Sequence, residues 1–222
     1  MKAKLIGSTR PIKQLAKDGI FDAQELIAYC ARVSNPANQF NTATSEKLIR
    51  YLIKHKHWSP MEMASATIEI TTTRDIARQL LRHRSFSFQE FSQRYADPTE
   101  DAGFVVREAR LQDPKNRQNS IASDDETLQK AWCMKQEQII HEAKLAYKWA
   151  IDNGIAKEQA RCVLPEGNTT STVIVNGTLR SWVHYIEVRS ANGTQKEHME
   201  LAREIAFVIS DVFPLIKEKN HG

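Results

Sequence analysis

Apolar residues recur every three or four positions in some stretches of the chain and every second position in others, the spacings of a helix face and of a strand face. Leu26, Ile27, Cys30 and Val33 follow Asp22, and Leu48, Ile49, Leu52 and Ile53 follow Ser45; each pattern predicts an amphipathic helix with an oxygen-bearing N-cap. From Met63 to Thr71 the period changes, with Ala64, Ala66, Ile68 and Ile70 alternating against Ser65, Thr67, Glu69 and Thr71, which predicts a half-buried strand. Thr73 then offers an N-cap, and Asp75 a first-turn anion, for a helix running to about Arg84. The polar, aperiodic segment Pro114 to Asp125 predicts a loop, followed by a long helix from about Asp124 to Asn153 stopped by Gly154, and a shorter helix before Pro165.

Thr172 to Val175 is β-branched and predicts a second strand. Asn176-Gly177 then signals a turn, and Leu179, Trp182, Val183 and Ile186 return to helical spacing. Thr194 and Glu197 have capping-box spacing ahead of Leu201, Ile205, Val208, Ile209 and Val212, with Pro214 limiting that last helix. No internal repeat or linker interrupts the pattern, so one domain over residues 1–222 is expected.

The apolar runs fall far short of the roughly 20 residues a membrane helix needs, and the start Met1-Lys2-Ala3-Lys4-Leu5 lacks a signal peptide's apolar stretch, so a soluble, cytoplasmic protein with no membrane partner is expected. Cys30, Cys133 and Cys162 are odd in number and widely spaced, which fits free thiols better than a disulfide framework or a zinc knuckle. A net charge of +4 favours an anionic ligand, either a phosphorylated metabolite or a nucleic acid.

Asp75, Gln79 and Arg82 fall at i, i+4 and i+7, a polar stripe along the predicted helix. Its continuation is denser in chemistry: Arg82-His83-Arg84 leads into Ser85, Ser87, Gln89, Glu90, Ser92, Gln93 and Arg94, with Phe86, Phe88 and Phe91 interleaved. Arginine grips phosphate in a bidentate fork and serine adds a neutral hydrogen bond, so these residue types suit a nucleotide phosphate pocket. A solvated basic helix has the same composition, and a non-catalytic module stacking single-stranded nucleic acid on the phenylalanines fits as well, although the charge excess is small for that role.

Arg82-His83-Arg84 followed after seven residues by Ser92, together with Glu90, Arg94 and Tyr95, resembles the signature of flavin-dependent thymidylate synthases. Ala77-Arg78-Gln79, His57-Trp58-Ser59-Pro60-Met61-Glu62, Arg161-Cys162-Val163-Leu164-Pro165 and the block Leu179 to Gln195 extend the likeness over most of the chain. The resemblance implies an α/β (α+β) single domain of the thymidylate synthase-complementing type, with a mixed, largely antiparallel sheet flanked by helices. It also implies a homotetramer with active sites between subunits. The implied reaction converts dUMP to dTMP, with methylenetetrahydrofolate as one-carbon donor and bound FAD, reduced by NADPH, carrying the hydride.

By matching positions, the resemblance places dUMP against Gln79, Leu80, Leu81, Arg82, Glu90, Phe91, Ser92, Gln93, Arg94, Arg161 and Arg189. It places FAD against Ser59, Arg82, His83, Arg84, Glu90, Thr178, Leu179, Arg180 and His184. Arg189 takes the catalytic role: a permanently charged guanidinium beside the uracil ring favours negative charge at N3 and its neighbouring carbonyl, which makes C5 a better nucleophile. Met63 stands where some members have a second histidine, and Glu166 to Gly177 does not align with the family, so Asn168 and Asn176 receive no role.

Other chemistries find less support in the residues. Cys30 and Cys133 sit within amphipathic helices as expected buried hydrophobes, and Cys162 lacks the setting of a nucleophile. His141-Glu142 is not completed by a second histidine one turn on, and His184 with Glu187 is a single i, i+3 pair, so no metal site is expected. No Gly-x-Gly-x-x-Gly follows a strand, so NADPH would not bind through a Rossmann motif.

Overall fold

The computed structural model describes residues 1–216. In chain order the elements are β1 (Lys2–Ser8), α1 (Lys13–Lys17), α2 (Ala23–Ala31), α3 (Ser45–Lys54), β2 (Ser65–Thr73), α4 (Arg74–Leu80), β3 (Ser87–Glu90), β4 (Arg110–Gln112), β5 (Ser120–Ala122), α5 (Glu126–Asp152), α6 (Lys157–Ala160), β6 (Thr170–Thr178), α7 (Leu179–Arg189) and α8 (Lys196–Ile209). Four strands form a sheet in the order β1-β2-β6-β3 with every pair antiparallel, and β4 and β5 form a separate hairpin. The expected α/β domain, an antiparallel sheet flanked by helices, is present.

Period-two burial fixes which sheet face meets the helices. Ala66, Ile68 and Ile70 of β2 and Val173 and Val175 of β6 point into one core with Leu179, Trp182, Tyr185 and Ile186 of α7 and Leu201, Ile205 and Ile209 of α8. Trp182 closes that face by donating its indole N–H to the Ala66 carbonyl at 3.0 Å, so the largest buried side chain leaves no polar atom unsatisfied. β1 was not legible as a strand. It is an edge strand bearing Lys2 and Lys4, and the apolar Ile6 falls on their exposed phase beside a register shift between Leu5 and Gly7, so apolar and polar residues do not alternate along it.

Capping chemistry is redistributed by tertiary partners. Asp22 caps α2 as expected, accepting from the Glu25 N–H at 2.8 Å. Ser45 does not cap α3; it is the first helical residue, while Thr44 holds the cap position and its hydroxyl accepts instead from Arg32 at 2.9 Å. Thr73 sits at the N-cap of α4, but its hydroxyl is shared between Asp75 Oδ1 at 2.5 Å and Arg107 at 2.6 Å. The capping box at Thr194 and Glu197 is not formed: Gln195 is the cap residue of α8, Thr194 donates to the Val188 carbonyl, and Glu197 pairs with Arg110 at 2.6 Å.

Four features differ from the sequence expectation. α4 stops at Leu80 rather than near Arg84, because Phe86 and Phe88 alternate with polar residues and carry the chain into β3. β5 lies inside the stretch expected to be loop; its Ser120, Ile121 and Ala122 are all exposed, so no apolar alternation marks it. Asn176-Gly177 is not a turn, since β6 pairs without interruption with β2 from Thr73 to Ser65. α8 ends at Ile209 and Phe213, not Val212, fills the core beyond it.

Candidate active site

α4 ends against the last turn of α7, and the turn that follows brings the arginine-histidine-arginine triplet onto that contact. Arg189, the last residue of α7, donates from Nε to His83 Nε2 at 2.9 Å and from Nη2 to the Gln79 carbonyl at 3.4 Å. The carbonyl is one of those a helix end leaves over, and the cation suits that end of the dipole. Because His83 accepts through Nε2, its ring is neutral; burial first, then the charges of Arg189 and His184, lower its pKa to about 4. Burial also lowers the Arg189 pKa, with Tyr185 opposing and the nearby Arg82 adding to the shift. Arg82 and Arg84 are exposed, and among the described residues neither has a carboxylate partner. Two guanidinium groups, Arg82 and Arg189, therefore share a place that an anion would stabilise.

Behind Arg189 lies a row of polar side chains in which sequence reasoning gave Gln79 a substrate role and Glu197 a capping one but gave His198 none. His198 is fully buried, its Nε2 at 3.1 Å from the Tyr185 hydroxyl and its Nδ1 at 3.1 Å from Gln79 Oε1. Gln79 donates to Gln195 Oε1 and Gln195 to Glu197 Oε2, both at 2.9 Å. The available signal was positional: His198 stands on the apolar stripe of Leu201, Ala202 and Ile205, three, four and seven residues on, where a polar group demands a partner. Burial, then the charges of Arg189 and His83, depress the His198 pKa to about 3.

Those two depressed histidines give a sign to the pH dependence of stability. Both gain protons on unfolding at mildly acidic pH, so the unfolded chain binds more protons between the depressed values and the ordinary 6.5. Stability should therefore fall as pH drops from 7 toward 5, and replacing His198 by Asn should flatten that slope. Denaturant midpoints at the two pH values check this.

Glu90 ends β3, and Ser92 and Arg94 follow it at the strand end away from His83. Phe91 N–H bonds to the Thr172 carbonyl while Ser87 pairs with Asn176, so this end lies four residue steps, about 13 Å at 3.3 Å each, from the end nearest His83. Glu90 accepts from Arg74 at 3.3 Å and from Ser171 at 3.0 Å. Arg94 pairs with Glu158 of α6 at 3.2 Å, three residues before Arg161, and donates its backbone N–H to Ser92 Oγ at 3.3 Å. Gln93 is buried with its Nε2 unpartnered. The chain thus brings Gln79, Arg82, His83 and Arg189 together, while Ser92 and Arg94 lie beyond the other end of β3 with Arg94 on Glu158 of α6.

A cavity of about 400 Å³ opens on the outer side of α7, lined by Trp58, Glu62, Ser85, Arg180, Ser181 and His184. Arg180 is paired there with Glu62. Ser59 and His57 are exposed beside Trp58, and Thr178 caps α7 through the Ser181 N–H. Leu80 and Leu179 are core residues, so only their main chains could meet a ligand, and the Leu179 N–H is already donated to Ala64. Phe86 and Phe88 are not free to stack bases: Phe86 is buried against Trp182 with ring centroids 4.3 Å apart, and Phe88 packs on the same core. Cys30 and Cys133 are half-buried rather than fully buried; burial raises the Cys30 pKa, and a hydrogen bond to Glu137 raises that of Cys133. Raised pKa values disfavour the thiolate that nucleophilic attack requires.

The sequence and the fold match a known class of protein. The model of the thymidylate synthase complementing protein family matches residues 18–215. The chain is 49% identical over 216 residues to a probable flavin-dependent thymidylate synthase of Paramecium bursaria Chlorella virus 1, covering 97% of each chain. It is 45% identical over 217 residues to the flavin-dependent thymidylate synthase of Synechocystis, again covering 97% of each. A solved structure of a UMP/dUMP methylase from Streptomyces cacaoi, bound with 5-Br dUMP, superposes with a TM-score of 0.81 at 25% identity, covering 98% of this chain and 93% of that one. The chain belongs to the family of flavin-dependent thymidylate synthases.

Proposed function

We propose that the protein methylates dUMP to dTMP, taking the one-carbon unit from methylenetetrahydrofolate and using FAD reduced by NADPH. The observation that carries the reading is Arg189, held by His83 and the Gln79 carbonyl beside a second unpaired cation, Arg82. A uracil ring presented to this guanidinium gains stabilisation for negative charge at N3 and the adjacent carbonyl, which raises the nucleophilicity of C5. No proton leaves the arginine. Neutral His83 keeps Nε2 as an acceptor, so Arg189 is aimed without being neutralised. Gln79, Leu80, Leu81, Glu90, Phe91 and Gln93 would meet the nucleotide with Arg189; Arg82, Ser92, Arg94 and Arg161 would supply the phosphate grip.

FAD fits the residues present. The cavity beside α7 combines the Trp58 wall with Ser85, Arg180 and His184 as polar groups, and Arg84 lies exposed in the same turn as Ser85. Ser59, Arg82, His83, Arg84, Glu90, Thr178, Leu179, Arg180 and His184 would hold it, and when bound it supplies hydride transfer. The length of β3 from Ser87 to Phe91, about 13 Å at 3.3 Å per residue, sets the His83 turn apart from the Ser92–Arg94 end and supports a site closed between copies, as a homotetramer allows. α5 adds to that support, because Met134, Leu145 and Trp149 are exposed on it.

Absorption spectroscopy of the purified protein tests the reading. Flavin bands that bleach on anaerobic addition of NADPH are expected, and a protein that stays colourless and takes up no added FAD contradicts it.

A further inference from the structure

The polar row behind Arg189 has one allowed direction. Ionised Glu197 can only accept hydrogen bonds; although burial opposes it, its own backbone N–H, Gln195 and Arg110 hold its carboxyl below the usual range. Gln195 must therefore turn Nε2 toward Glu197 and its oxygen toward Gln79. Gln79 must then donate from Nε2 and present Oε1 to His198 Nδ1 at 3.1 Å. That oxygen requires the proton of His198 on Nδ1, which leaves Nε2 to accept from the Tyr185 hydroxyl at 3.1 Å. Reversing any single member sets two acceptors or two donors face to face, at the cost of a buried unsatisfied group.

We propose that this row, anchored by the Arg110–Glu197 ion pair, locks the amide of Gln79 in one flip and makes His198 a positioning residue for the nucleotide site. The flip leaves one Gln79 N–H unspent, available to an acceptor on the bound pyrimidine nucleotide. The inference rests on the dUMP reading above. His198 and Tyr185 are both fully buried and act only through Gln79 and Arg189. Burial keeps each neutral, the histidine by a lowered pKa and the tyrosine by a raised one, so the row is not reversed by ordinary changes of pH.

Two measurements test the inference, one on the ligand-free protein and one with dUMP. The first is nitrogen-15 NMR of histidine-labelled protein, with His198 assigned from the spectrum of His198→Asn: the Nδ1–H tautomer alone is expected. In Glu197→Gln the terminal group can donate or accept, so a mixture of tautomers is expected. The second is calorimetric dUMP affinity. His198→Leu and Glu197→Gln should each weaken binding up to about tenfold, the scale of one lost buried hydrogen bond, whereas His198→Asn, which retains a donor near the Nδ1 position, should stay within about threefold. An Nε2–H tautomer in the wild type, or equal dUMP affinity in all three variants and the wild type, overturns the inference. Wild-type protein that binds no dUMP would overturn the nucleotide reading along with this role; normal wild-type binding with unaffected variants would overturn this role alone.

Discussion

Arg189→Ala should lower turnover by about 10²-fold or more, the usual cost of removing one preorganised charge-stabilising donor, while FAD binding persists. Arg189 is half-buried at the end of α7 and is held by two acceptors, His83 Nε2 and the Gln79 carbonyl. Truncation removes both the charge facing the pyrimidine and the group that organises His83, whose pKa should rise once the neighbouring cation is gone. Arg189→Lys keeps the charge but cannot span both acceptors with a planar fork, so its activity should fall between alanine and wild type. Single-turnover rates of dTMP formation at saturating dUMP separate this effect from weaker binding. Near-wild-type rates for Arg189→Ala would remove it from the chemistry.

Gly177→Ala should destabilise the fold by about 1–3 kcal/mol, against the usual gain from replacing a glycine within a strand. A Cβ at Gly177 would lie 2.2 Å from Phe86 Cδ1 and 2.4 Å from Cε1. Phe86 has little freedom to withdraw, because its ring is buried and packs against Trp182, Tyr185 and Phe88. The displaced ring would also shift the turn from His83 to Phe86, whose N–H bonds to the His83 carbonyl. At about 2–4 °C per kcal/mol for a chain of this size, the thermal midpoint should drop by several degrees. Phe86→Leu in the same background should recover part of the loss. An unchanged or raised midpoint for Gly177→Ala would show that the ring moves freely.

Gly177 also shows where sequence reasoning reaches its limit. Asn-Gly is a strong hairpin signal when judged locally, but here the glycine makes room for the ring of Phe86, the residue leading into β3, a demand visible only once β3 lies beside β6. The same holds for Thr73, Thr44 and Glu197: each has an oxygen suited to local bonding, and each is engaged by an arginine distant in the chain. The long helix, the β2 alternation and the α7 and α8 stripes were legible because burial imposes their period directly on the sequence. Of the candidate site, the Gln79, Arg82, His83 and Arg189 cluster was expected from motif likeness, while His198 was hidden because its partners come from α4 and α7. That Ser92 and Arg94, proposed as nucleotide contacts, lie beyond the end of β3 away from His83 also required the fold.

The central claim is tested most directly by dTMP formation from purified protein supplied with dUMP, methylenetetrahydrofolate and NADPH. Turnover that depends on bound FAD and is abolished when flavin is stripped, then restored when it is returned, is the predicted result. No dTMP from flavin-loaded protein, or undiminished dTMP from flavin-free protein, would contradict it.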